Sequence, residues 1–153
     1  MSIQPVVRRA TADDMGQILD IDDVSRVGVD SQRGGSAWIA NHTSLRVNTP
    51  SNAHERCFVA VIDDVVVGFA MWDIEDVLGF GRVIRMERVH VLAEARDLGF
   101  GDALLASVVD EGRSRSCDHV EGEALPGDRE TKNMYERAGI TARSIIVSKR
   151  LSD

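Results

Sequence analysis

The stretch R96-D97-L98-G99-F100-G101-D102-A103-L104-L105 decides how the rest of the chain is read. Glycine weakens strands and helices alike. It suits places where the backbone turns sharply or something must approach it closely. Upstream lies RVIRMERVHVL (82–92), β-rich and read as a strand whose alternation sets Met86, Arg88 and His90 on one face and Glu87, Val89 and Val91 on the other. Downstream, Leu104, Leu105, Val108 and Val109 recur at helical spacing. Strand, then R-x-x-G-x-G, then helix brings unpaired amides and the positive end of a helix dipole to one point. Gly99 and Gly101 let anionic oxygens reach those amides, and Arg96 adds a charge-assisted donor. No G-K-[ST] follows, and Leu104 stands where a dinucleotide fingerprint has its third glycine. Taken alone, the loop is equally well a tight strand-to-helix turn without a ligand.

Working outward, IQPVVRRA (3–10) reads as a first strand and TADDMGQILDIDDV (11–24) as a helix. Thr11 is its N-cap, Asp13 and Asp14 lie in its first turn, and Met15, Ile18 and Leu19 form its apolar face. Residues 25–56 are rich in Gly, Ser, Thr and Asn; within them SAWIANHTSLRV (36–47) reads as a helix with Trp38, Ile39 and Leu45 inward. CFVAVIDDVVVGFAMWDI (57–74) is a hairpin turning at Asp63-Asp64. DHVEGEAL (118–125) is a strand, GDRETKNMYERAG (127–139) a short helix ended by Gly139, and RSIIVSKRL (143–151) a closing strand. Antiparallel hairpins followed by a β-α-β crossover make a mixed α/β sheet.

The 153 residues suit one domain over 1–153, with 43% hydrophobic and 28% charged residues. The formal net charge of −7 argues against a general nucleic-acid surface. No run approaches the ~18 apolar residues of a membrane span, and MSIQPVVRRA lacks the apolar core of a secretory signal. Cytoplasm is therefore the expected location, with no nucleic-acid or membrane partner. Cys57 and Cys117 have no metal spacing around them, so no metal site is expected.

Read together, ERVHVLAEARDLGFGDALL and the later MYERAG resemble the GNAT superfamily of acyl-CoA-dependent N-acetyltransferases. The family's pyrophosphate loop, [RQ]-x-x-G-x-[GA], is matched by Arg96, Asp97, Leu98, Gly99, Phe100 and Gly101. Its late Tyr-Glu-[KR]-x-Gly pattern is matched by Tyr135, Glu136, Arg137, Ala138 and Gly139. The resemblance implies an α/β GNAT fold: a sheet of six or seven strands with about four helices, splayed between strands 4 and 5. It further implies transfer of an acetyl group from acetyl-CoA to a primary amine by direct attack in a ternary complex. The resemblance implies an amine of a small molecule or a protein as acceptor, and homodimers are common in the family. A catalytically weak acyl-CoA-binding module, acting as sensor or interaction protein, is the alternative. Asp97 and Leu98 replace a glycine and a basic residue common in the family, which predicts weaker cofactor affinity.

By the same resemblance, the cofactor binds Arg96, Asp97, Leu98, Gly99, Phe100, Gly101 and Asp102, and pairs with the main chain of Val89 and Val91. Tyr135 corresponds to the acid that protonates the departing thiolate, or else is a helix tyrosine packed on the sheet. Glu87 is the candidate base, or else a surface partner of Arg85 or Arg88; Asp73, Glu75, Glu121 and Glu123 are its rivals. Asp20, Asp22, Asp23, Trp38 and Trp72 are candidates for an acidic, aromatic acceptor pocket, with Asp22, Trp38 and Trp72 foremost.

Overall fold

A computed structural model describes residues 6–152. Five strands form one sheet in the order β1-β2-β3-β4-β5: β1 (Val6–Arg9), β2 (Cys57–Ile62), β3 (Val65–Val77), β4 (Gly81–Val91) and β5 (His119–Gly122). The first four are antiparallel, and β4 and β5 are parallel. The helices are α1 (Met15–Ser25), α2 (Gly35–Asn41), α3 (Phe100–Ser114) and α4 (Arg129–Arg137). No helix is long and apolar enough to cross a membrane.

Local chemistry accounts for the main breaks. β2 turns into β3 at Asp63 and Asp64, with φ of 47° and 66°, the left-handed pair that a tight hairpin requires and aspartate tolerates. Asp14 accepts from the Thr11 amide at 2.7 Å and from Arg8 at 2.7 and 3.0 Å, so the start of α1 is tied to β1. α4 ends where the Ile140 amide returns to the Tyr135 carbonyl at 2.9 Å, around Gly139.

Each face of the sheet carries a core. On one face α3 and α4 bring Phe100, Leu104, Leu105, Val108, Met134 and Tyr135 onto Phe58, Ala70, Trp72, Ile84 and Met86. On the other, Ile18 and Ile21 of α1 pack on Val59, Phe69 and Met71. Buried Glu111 of α3 binds Arg9 of β1 and Arg115, tying the first strand to the crossover helix.

Three expectations are corrected. The sheet has five strands among the described residues, not six or seven. Residues 143–151 are β-rich but make no ladder, and Ile145, Ile146, Val147 and Leu151 are at least 83% exposed. A strand needs a paired edge, and residue preference alone supplies none. α2 stops at Asn41, so buried Leu45 lies in the chain beyond it. The first strand is described only from Val6, and Ile3–Pro5 lie outside the described residues.

The alternation expected along β4 also fails midway. Met71 pairs with Arg88 but Trp72 with Met86, leaving Glu87 as an extra residue. Such a bulge reverses the parity of every residue after it. Met86, Val89 and Val91 consequently share the α3 face, while Arg88 and His90 lie opposite Met71 and Phe69 on the α1 face.

Candidate active site

The site begins where β4 gives way to α3. Asp97 has φ 63° and Gly99, directly before the helix, φ 85°. These reversals turn the chain so that the amides of residues 97–102 find no acceptor among the described residues. Phe100 anchors the loop in the core at 1% exposure, and Leu98 packs against the same cluster. Arg96 donates from Nε to the Val91 carbonyl at 3.2 Å and pairs with Glu130 at 3.3 Å. Asp102 is paired with Arg137 at 2.9 Å, so the second motif puts a cation beside the first turn of α3. The pattern MYERAG contained that arginine, but only the fold shows which turn it meets. Gly101 answers to a neighbour rather than to the loop's open side: a Cβ there would lie 3.2 Å from the Met134 sulfur of α4.

The β4–β5 ladder is short. It runs from Val83↔His119 to Met86↔Gly122 and stops, so β4 continues beyond it with an open edge. The bulge at Glu87 decides which groups occupy that edge. The Arg82 carbonyl accepts from Asp118 on the β5 side, and the Leu92 amide donates to Val67 of β3 at 2.8 Å. With the parity reversed between them, Val89 and Val91 turn their main-chain groups away from β3 to the open edge. The bond from Arg96 to the Val91 carbonyl agrees with that direction.

Tyr135 stands at the end of the ladder. Its ring lies against Gly122, the last residue of β5, where any Cβ would overlap the hydroxyl. This close approach is why β5 ends in glycine. Tyr135 is 7% exposed. Burial, then the charges of Glu123 and Asp128, hold its phenol above the ordinary range, so it remains a proton donor at physiological pH. His90 is held below its ordinary range, first by burial and then by Arg96.

Glu87 is exposed, and neither neighbouring arginine is paired with it. Arg85 binds Glu75 at 2.6 Å and Glu121 at 3.1 Å, and Arg88 binds Asp22 at 2.9 Å. Among the rivals, Asp73 is paired with Arg56, and Glu75 and Glu121 with Arg85; Glu123 faces His42 at 3.8 Å. Two acceptor candidates lie buried. Asp22 is 1% exposed, with one oxygen taken by Arg88 and the other by the Leu45 amide, so it has no free face for an amine. Trp72 is 2% exposed within the core, under the Arg115 guanidinium. Trp38 is half-buried on α2 and stacks on His42 at 4.4 Å. Asp20 and Asp23 are both paired with Arg46. Among the described residues no three His, Cys, Asp or Glu side chains gather as metal ligands.

The Acetyltransferase (GNAT) family matches over residues 26–140. The chain belongs to the GNAT acetyltransferase family. Solved structures share the fold across nearly the whole GNAT chain. A transcriptional regulator from Bacillus halodurans is 16% identical, with 97% of this chain and 100% of that one covered at a TM-score of 0.70. The aminoglycoside N-acetyltransferase AAC(6')-Iy in complex with CoA is 17% identical, covering 96% and 94% at 0.67. A ribosomal-protein-alanine N-acetyltransferase from Brucella melitensis is 14% identical, covering 97% and 100% at 0.66. No curated protein matches the chain.

Proposed function

We propose that this single-domain GNAT protein transfers an acetyl group from acetyl-CoA to a primary amine by direct attack in a ternary complex. The observation that carries the reading is the open edge of β4 beyond the β4–β5 ladder, with the Val89 and Val91 main chain on it and the unpaired amides of residues 97–102 following it, and with the Tyr135 hydroxyl against Gly122 where the ladder stops. These groups fit the cofactor. Amides at a helix start suit a pyrophosphate, with Arg96 and Arg137 beside them. An open strand edge suits the amide-bearing pantetheine arm, which extends it as another strand would. When bound, acetyl-CoA supplies an activated acyl carbon and a thiol leaving group. The protein's own contribution is positional and protonic. A main-chain amide of the open edge donates to the developing oxyanion. Glu87, exposed and unpaired at the bulge, takes a proton from the acceptor's ammonium, directly or through water, so that the neutral amine attacks. Tyr135, kept protonated by burial, gives a proton to the sulfur as it leaves.

The acceptor is a small-molecule or protein amine. AAC(6')-Iy has been solved with a bisubstrate analogue joining CoA to an acetylneamine, which makes aminoglycosides one class to assay. The reading places the protein in the cytoplasm and pairs it as a homodimer through the exposed Ile145, Ile146, Val147 and Leu151. Sedimentation of the parent and of an Ile145→Asp/Val147→Asp variant tests the dimer: a parent that sediments as a monomer removes it. The transferase reading is tested by release of free thiol from acetyl-CoA with a panel of amines. CoA binding without thiol release for any amine would leave a binding module instead.

A further inference from the structure

Residues 34–45 run as a strap between the loop after β5 and β4. At one end, a Cβ on Gly34 would lie 3.6 Å from Leu125 and 3.9 Å from Pro126, in the loop after β5. In the middle, His42 faces Glu123 at 3.8 Å, and its Nδ1 meets the Trp38 carbonyl at 2.9 Å. At the other end the strap is held by β4. Arg88 sends one nitrogen to Asp22 at 2.9 Å and another to the Thr43 carbonyl at 2.5 Å. Asp22, 1% exposed, accepts from the Leu45 amide at 3.0 Å with its second oxygen. One buried ion pair thus joins α1, the end of the strap and the residue next to the bulged Glu87.

We propose that Arg88 is a positioning residue: through Asp22 it fastens strap 34–45 across the fork between β4 and β5 and so forms the acceptor side of the site. This rests on the transferase reading above. Arg88 touches no reacting group, and its side chain lies on the face of β4 away from α3. It acts by fixing where Trp38 and His42 sit relative to Glu87. A two-pronged guanidinium suits the task, because it satisfies a carboxylate and a carbonyl together, as a lysine ammonium does less well. Replacing the pair by apolar groups of similar volume should leave the fold stable, as it commonly does for buried ion pairs. Its value is geometric.

The test compares the parent with Arg88→Lys and with Asp22→Leu/Arg88→Met, the double variant leaving no buried charge unpaired. Amide hydrogen exchange, CoA affinity by calorimetry, and separate KM values for acetyl-CoA and for two probe amines, neamine and spermidine, are measured. In the double variant, exchange should accelerate at least ~10-fold over residues 34–47 and little elsewhere. CoA affinity should stay within ~2-fold, while the amine KM rises ~10-fold or more with kcat within ~3-fold. Arg88→Lys should fall between parent and double variant. Unchanged exchange in the strap, acceleration spread over the whole sheet, or an amine KM that does not move would overturn the proposal. If the parent acetylates neither amine, the transferase reading fails for these acceptors. The positioning proposal is then decided by exchange and CoA binding: acceleration confined to 34–47 with unchanged CoA affinity supports it, and any other pattern overturns it.

Discussion

At the residue scale, one hydroxyl carries the strongest expectation. Tyr135→Phe keeps the ring against Gly122 and removes only the proton donor. CoA affinity and melting temperature should hold, while turnover falls about 10²–10³-fold, near the usual worth of a general acid. Acyl donors with a more acidic leaving thiol should lose less. Turnover equal to the parent would assign the proton to solvent. For Glu87→Gln the pH profile is the readout. The deficit should be largest near neutrality and shrink as pH rises and free amine accumulates in solution; a constant loss would mark a binding role. Tyr135 stands out in the sequence because its neighbours in MYERAG form a pattern. The burial of Asp22 and Trp72 was not legible, because residue type says nothing of it, and both lie at 2% exposure or less. Arg88 was read only as a neighbour for Glu87; its partners are 66 and 45 residues away in the chain, beyond any local signal.

At the element scale, the strand-loop-helix unit was readable because each part has its own local cause: β-rich residues, glycines, then a 3.6-residue apolar stripe. The bulge was not. A pattern of period two assumes one residue opposite one, and nothing in RMERVHV marks Glu87 as extra. Yet the bulge brings the Val89 and Val91 main chain to the open edge. The loop's two glycines also separate at this scale. Gly99 needs its φ of 85°, so Gly99→Ala should cost about 1–2 kcal/mol in strain, seen as a lower melting temperature, and should weaken CoA binding as the amides reorient. Gly101 faces Met134 on α4. Gly101→Val should therefore lower the melting temperature by crowding that helix, and its loss should combine less than additively with that of Met134→Ala, which removes the clashing sulfur. Fully additive losses in the double variant would return Gly101 to the loop's open side.

At the scale of the whole molecule, the sheet order followed from hairpins and one crossover, both local signals. The missing closing strand shows the limit, because pairing with β5 is a property of two distant segments. Stability at this scale depends on carboxylates that fasten β1 to the helices. Hydrogen bonds from Arg8 hold Asp14 down at about 2, against the burial that would raise it. Glu111 is also lowered: burial, its largest single influence, pushes upward, but Arg9 and Arg115 outweigh it. Both groups therefore bind protons less readily folded than unfolded. Their stabilisation is complete above the unfolded carboxylate values near ~4 and is lost as pH falls through the folded ones. Melting of the parent should be nearly flat from neutrality to about pH 5 and fall steeply between about pH 4 and 2. Asp14→Asn should be less stable at pH 7 by about 1–2 kcal/mol, the upper figure discounted because Arg8 is 43% exposed. Its melting curve should also change less between about pH 4 and 2, because one of the groups that gains a proton there is gone. An Asp14→Asn variant with the parent's acid slope would mean that other carboxylates carry the transition. A variant as stable as the parent at neutral pH would mean that Arg8 and Asp14 are held together by the fold rather than holding it.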